Sequence, residues 1–72
     1  MAQLDVDAFL ARFRDRAAAV RERGIPPLEG EARRKFAAAA EEDFVDYSLV
    51  GSATWELTGE HLVLRIPLRA GG

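Results

Sequence analysis

Two runs of alternating apolar residues, Leu49 to Leu57 and Leu62 to Leu68, flank the tetrapeptide Thr58-Gly59-Glu60-His61 and agree in phase across it. A side-chain period of two on both sides of a glycine-bearing turn specifies an antiparallel hairpin with one apolar face. A two-residue loop with Gly59 and Glu60 at its tip is the type II′ arrangement, in which glycine supplies the positive φ at the first central position. Counting back from it pairs Thr58 with His61, Leu57 with Leu62, Trp55 with Leu64, Ala53 with Ile66 and Gly51 with Leu68. Thr54, Glu56, His61 and Arg65 fall on the opposite, polar face. A slip of one residue would turn Trp55 or Leu64 to water, so the pattern selects its own register. Gly51 and Ala53 are the small members of the apolar face and leave room for a closely packed helix.

Pro67 bounds the hairpin, because in this register it forms a hydrogen-bonded pair with Ser52 and has no N–H to give. Pairing is expected to end near Ile66. The amides of Leu62, Leu64 and Ile66 point to the free edge, which Pro67 leaves open. Such an edge is a template for a further strand, so these three residues are the candidate interaction edge.

Two helices are expected before the hairpin. Asp5 is a suitable N-cap, with Leu4 and Phe9 placed as a hydrophobic staple. Val6, Phe9, Leu10, Phe13, Ala17 and Val20 then recur at helical spacing and form one stripe. Gly24 stands where a left-handed residue would close this first helix, and Pro26 and Pro27 bar its continuation. The connector Ile25-Pro26-Pro27-Leu28 suits a packed corner. A second helix is expected over about 29–46, carried by Ala37 to Ala40 and by the i,i+4 pairs Glu29 with Arg33 and Glu31 with Lys35. Phe36, Ala40, Phe44 and Tyr47 share a face of it that would dock on the first helix.

The expected architecture is therefore α+β: two N-terminal helices packed on a C-terminal antiparallel hairpin in the order α-α-β-β, within one small domain over 1–72. Helix 1 would run over about 5–23, the strands over about 48–57 and 61–67, and a frayed tail over 69–72. A two-stranded sheet is marginal in water, and 72 residues lie close to the size at which one core suffices. Both facts predict that the helices cover the apolar face and that the sheet is extended by self-association.

With no cysteine, the chain has no disulfide, thiol nucleophile or cysteine metal site. The first residues carry neither a basic segment nor an apolar one of the kind a signal peptide needs, and no apolar run approaches membrane-spanning length. A cytoplasmic protein is expected. Net charge is −2 with a pI near 5.3, giving no general attraction to nucleic acid or anionic lipid. Residues 1–35 hold eight of the ten Arg and Lys, whereas 36–72 hold two against six Asp or Glu. The abundance of Ala and Arg hints at a GC-rich bacterial genome.

Chemistry-bearing residues are few. His61, the single histidine, sits beside the turn with no serine or cysteine nucleophile placed near it, and reads as a turn-flanking polar residue. Glu41, Glu42, Asp43 and Asp46 form an acidic cluster, with Glu42 and Asp46 one turn apart on a helix. It lacks the spacing and glycine of a calcium loop and reads as a solvated face, or as a surface for a basic partner near a helix end. Arg33, Arg34 and Lys35 with Arg12, Arg16 and Arg23 offer phosphate contacts, but interleaved acids and the lack of stacking aromatics argue against nucleic acid. Tyr47 and Trp55 are candidates for a ligand pocket, though aromatics in phase with an apolar face are more often core. No glycine-rich phosphate loop exists, and no cofactor or metal is expected.

The end of the chain, His61-Leu62-Val63-Leu64-Arg65 followed by Leu68-Arg69-Ala70-Gly71-Gly72, resembles the close of ubiquitin-like proteins, where an amphipathic last strand leads into a diglycine. The resemblance covers about a dozen residues. It implies a carrier whose terminal Gly71-Gly72 is activated as an acyl adenylate or thioester. Pro67 and Ala70 depart from the tail pattern, and ubiquitin-like proteins open with a hairpin where this chain opens with two helices. The reading that accounts for most of the chain is a non-catalytic interaction module, a small accessory or regulatory subunit that oligomerises or docks onto a larger protein complex. The carrier, and a small enzyme or ligand-binding domain using His61, Tyr47 or the acidic cluster, are the alternatives.

Overall fold

The computed structural model describes residues 4–68, with elements in the order α1 (Val6–Glu22), α2 (Gly30–Gly51), β1 (Thr54–Thr58) and β2 (His61–Arg65). The class is α+β and the order α-α-β-β, as the periodicities predict. Asp5 caps α1: its carboxylate accepts from the Ala8 amide at 3.1 Å, satisfying one of the first-turn donors. Asp7 in the first turn and Arg21 in the last complement the helix dipole.

The exit from α1 differs from expectation. Gly24 is not left-handed; Arg23 leaves the helix in an extended conformation (φ −79°, ψ 108°) while its amide donates to the Ala19 carbonyl at 3.0 Å. An extended exit leads directly into the connector, where a residue preceding proline is held extended. A tight turn, Leu28 N–H to Pro26 C=O at 2.7 Å, then redirects the chain. The left-handed glycine lies instead at the start of α2, where Gly30 has φ +59°.

The second helix runs to Gly51, five residues past its expected end at 46, so the alternation over Leu49 to Ala53 does not become strand. The reason lies in the face that α2 turns to α1. Phe36, Ala40, Tyr47 and Gly51 continue one stripe at helical spacing, and continuing it buries Gly51. Ser52 ends the helix, its amide donating to the Ser48 carbonyl at 3.0 Å and its hydroxyl to the Leu49 carbonyl at 2.9 Å. β1 accordingly starts at Thr54, and the expected pairs Ala53 with Ile66 and Gly51 with Leu68 lie outside the sheet.

What remains of the hairpin keeps the predicted register: Trp55 pairs with Leu64, Leu57 with Leu62 and Thr58 with His61. Gly59 has φ +61° and Glu60 has no positive φ, the signature of a type II′ turn.

Packing is concentrated between the two antiparallel helices. Val6, Leu10, Ala17 and Val20 of α1 are the buried apolar side chains among the described residues. Phe13 meets Phe9 edge-on at 5.1 Å between ring centroids and Tyr47 of α2 at 6.0 Å. The Arg21 guanidinium lies 3.7 Å over the Phe44 ring. The backbones approach closely at Gly51, where a Cβ would lie 2.6 Å from Arg14 Cγ and 3.1 Å from the Arg14 amide nitrogen. Arg14 Nη1 also donates to the Gly51 carbonyl at 2.8 Å, satisfying one of the last carbonyls of α2.

The helices cover the hairpin only in part: Leu62, Leu64 and Ile66 are half-buried, whereas Leu57 is 65% exposed and Trp55 38%. α2 ends beside Arg14, midway along α1, so the base of the hairpin lies along the N-terminal half of α1, where Trp55 reaches Asp7, and only the tip extends clear of the helices. The molecule measures 50 × 31 × 17 Å with a radius of gyration of 15.5 Å, against about 11 Å for a compact domain of this length.

Candidate interaction surface

The hairpin presents its apolar face on Trp55, Leu57, Leu62 and Leu64. On β2, Leu62 and Leu64 are half-buried, and Ile66, just past the strand's end, is half-buried too. Within a two-residue loop the closing pair Thr58 and His61 is hydrogen-bonded, so the next pairs alternate: Leu57–Leu62 and Trp55–Leu64 are the non-bonded ones. The amides and carbonyls of Leu62 and Leu64 therefore face away from β1. No third strand accepts them among the described residues.

One side-chain bond ties this face to the helices. Trp55 Nε1 donates to the Asp7 carboxylate in the first turn of α1 at 3.2 Å, holding the base of the hairpin while the tip, with Leu57, stands clear. At 38% exposed, Trp55 is thus not a core residue. On the polar face Arg65 reaches diagonally to Glu56, with Nη2 3.2 Å and Nε 3.4 Å from Oε1. The placement of both residues on that face is legible from the alternation. The Trp55–Asp7 bond is not, since it joins positions 48 apart and depends on where α2 ends.

The other candidates are dispersed. Tyr47 is half-buried in the helix–helix contact beside Phe13, which makes it a packing residue. His61 is exposed at the turn. The acidic residues 41–46 lie in the middle of α2 rather than near its end, and do not oppose the helix dipole there. Glu41 and Asp43 face Arg21 of α1 and Arg23 just past its end at 3.6 and 4.0 Å, so their basic counterparts lie on the neighbouring segment of this chain. Glu42 and Asp46 remain exposed and make no ion pair among the described residues. Also among the described residues, no three His, Asp or Glu side chains are grouped so as to hold a metal ion.

The arginines are largely engaged as well. Arg12 and Arg16 stack 5.7 and 5.1 Å over the rings of Phe9 and Phe13, one turn earlier on α1. Of the two expected i,i+4 pairs on α2, Glu31 with Lys35 forms at 3.3 Å. A shallow groove of about 240 Å³ between the end of α1 and the start of α2 is lined by Val20, Ile25, Phe36 and Ala40, with Arg21 and Glu41 at its rim. No described helix is long and apolar enough to cross a membrane. Gly71 and Gly72, the candidate carrier tail, lie outside the described residues. Comparison with protein-family models, curated proteins and solved structures finds no match.

Proposed function

We propose that this chain is a non-catalytic interaction module, an accessory or regulatory subunit that works by docking its hairpin onto another polypeptide chain. The carrying observation is an apolar sheet face built in strict phase and only partly covered, with Leu62 and Leu64 half-buried and Leu57 at its tip 65% exposed. A sequence that spends five in-phase apolar positions on one face gains nothing from them in water, because a two-stranded sheet is marginal without something packed on it. The small helical core supports the same reading, since four buried apolar side chains among the described residues are few for a domain of this size. Tyr47 against Phe13, and Glu41 and Asp43 beside Arg21 and Arg23, have partners within the chain, which supports this reading over one that uses them as a site.

The test is affinity purification from the cells that encode the chain, comparing wild type with Leu57→Arg and with Arg34→Ala as an exposed control. Leu57→Arg alters a mostly exposed side chain, so circular dichroism should show the fold retained. Polypeptides recovered with wild type and control, untagged copies of this chain included, are expected to fall about tenfold or more with Leu57→Arg. An unchanged set would sink the reading.

A further inference from the structure

We infer that the chain covering this hairpin is a second copy of the same protein, joined by antiparallel pairing of β2 with its own copy about a two-fold axis at Leu64. The inference rests on the reading of the hairpin as a docking element and names its occupant.

Area gives the first argument. The chain exposes 5837 Å², against about 4400 Å² for a typical folded monomer of 7.9 kDa. That excess belongs to the extended molecule as a whole, and the β2 edge with its adjoining apolar face is the part of it that a second copy would cover. An isologous two-fold contact needs only one patch, and a self-complementary patch is what β2 offers.

Register and charge give the second. Antiparallel edge pairing must bring together residues whose amides point outward, here Leu62, Leu64 and Ile66. Centring on Leu64 sets Leu64 opposite the partner's Leu64 and Leu62 opposite the partner's Ile66, with Arg65 beside the partner's Val63. Centring one residue earlier, on Val63, would set Ile66 opposite the partner's turn residue Glu60, outside the strand, and lose an apolar pair. Pairing through β1 about Glu56 would set two glutamates face to face, which is destabilising. Arg65 is already held by Glu56 of its own hairpin at 3.2 Å, so the Leu64-centred register brings no charge against a like charge.

Geometry gives the third. A two-fold axis normal to the sheet keeps the apolar faces of both hairpins on one side, so Trp55 and Leu64 continue into the partner's Leu64 and Trp55 as one row of a four-stranded sheet. Antiparallel pairing also lays the base of one hairpin beside the tip of the other. Leu62, at the tip end of β2, therefore lies beside the partner's Ile66, near the base that the Trp55–Asp7 bond ties to α1, so dimerisation covers the open edge of each tip.

Two measurements on the full chain test this. The first is sedimentation of the purified protein with a crosslink. The sequence has no cysteine, so Leu64→Cys introduces a single thiol, and the Leu64-centred register predicts a dimer that mild oxidation locks through that thiol. The second needs no substitution. The Leu62 and Leu64 amides of wild type should exchange hydrogen about tenfold or more slowly at high protein concentration than at high dilution, while the Val63 amide, bonded within the hairpin, responds less. A dimer with the Leu64 crosslink and concentration-dependent protection supports the inference. A monomer at 100-fold the concentration used for purification, or a dimer whose Leu62 and Leu64 amides exchange freely, overturns it. If the chain is monomeric yet Leu57→Arg loses a different cellular partner, the docking reading stands and the second copy falls.

Discussion

Gly51 shows how one position acquires its requirement from packing. The alternation places it on the apolar face of a strand, as a gap for a helix to enter. The structure makes it the last residue of α2, and the gap is filled by the backbone of Arg14. Alanine is the better helix former by about 1 kcal/mol. Against that, a methyl 3.1 Å from a backbone nitrogen and 2.6 Å from Arg14 Cγ must push two helices apart, and overpacking of this kind costs about 1–3 kcal/mol. Gly51→Ala is therefore expected to destabilise by about 1 kcal/mol net, read from urea unfolding midpoints at unchanged slope. Gly24 has open space around it and no positive φ, so Gly24→Ala should instead stabilise by about 0.4–1 kcal/mol through the unfolded chain. Equal effects from the two substitutions would contradict the close approach at Gly51.

At the level of elements, the hairpin is local and the helix ends are not. The turn needs only Gly59 at φ +61°, and the pairs from Thr58–His61 to Thr54–Arg65 follow from it by counting. Gly59→Ala forces an L-residue into the left-handed region at about 1–2 kcal/mol, and Gly59→Asn should recover part of the loss. Cross-strand nuclear Overhauser effects between Trp55 and Leu64 report the result directly. They are expected to weaken with alanine and persist with asparagine. The exposed Glu56–Arg65 contact, by contrast, is worth little, and Glu56→Gln should change stability by less than about 1 kcal/mol in a denaturation series. The stretch Leu49 to Ala53 fits both an alternating strand and the last turn of a helix, because glycine and alanine at 51 and 53 mark neither period strongly. The helix prevails because its stripe continues through Tyr47 to Gly51 against α1.

The whole molecule is two antiparallel helices with a hairpin whose base lies along the N-terminal half of α1 and whose tip stands clear, extended to 50 Å and held by a small core. Stability that depends on association varies with mass action, so the thermal midpoint should rise with protein concentration. Calorimetry over a hundredfold concentration range checks this; a constant midpoint would mean that the helical pair and hairpin stand alone. The sequence by itself determined what depends on neighbours along the chain: the fold class, the α1 stripe and its Asp5 cap, the type II′ turn, and the register that sets Leu62 and Leu64 at an open edge. These follow from periodicity and local backbone chemistry, which act over a few residues. The tertiary structure decided where α2 stops, that Arg14 seals it, that Glu41 and Asp43 answer to Arg21 and Arg23, and that Trp55 is pinned to Asp7 while Leu57 stands uncovered. Each of these is set by distance between segments far apart in sequence, which no local pattern encodes.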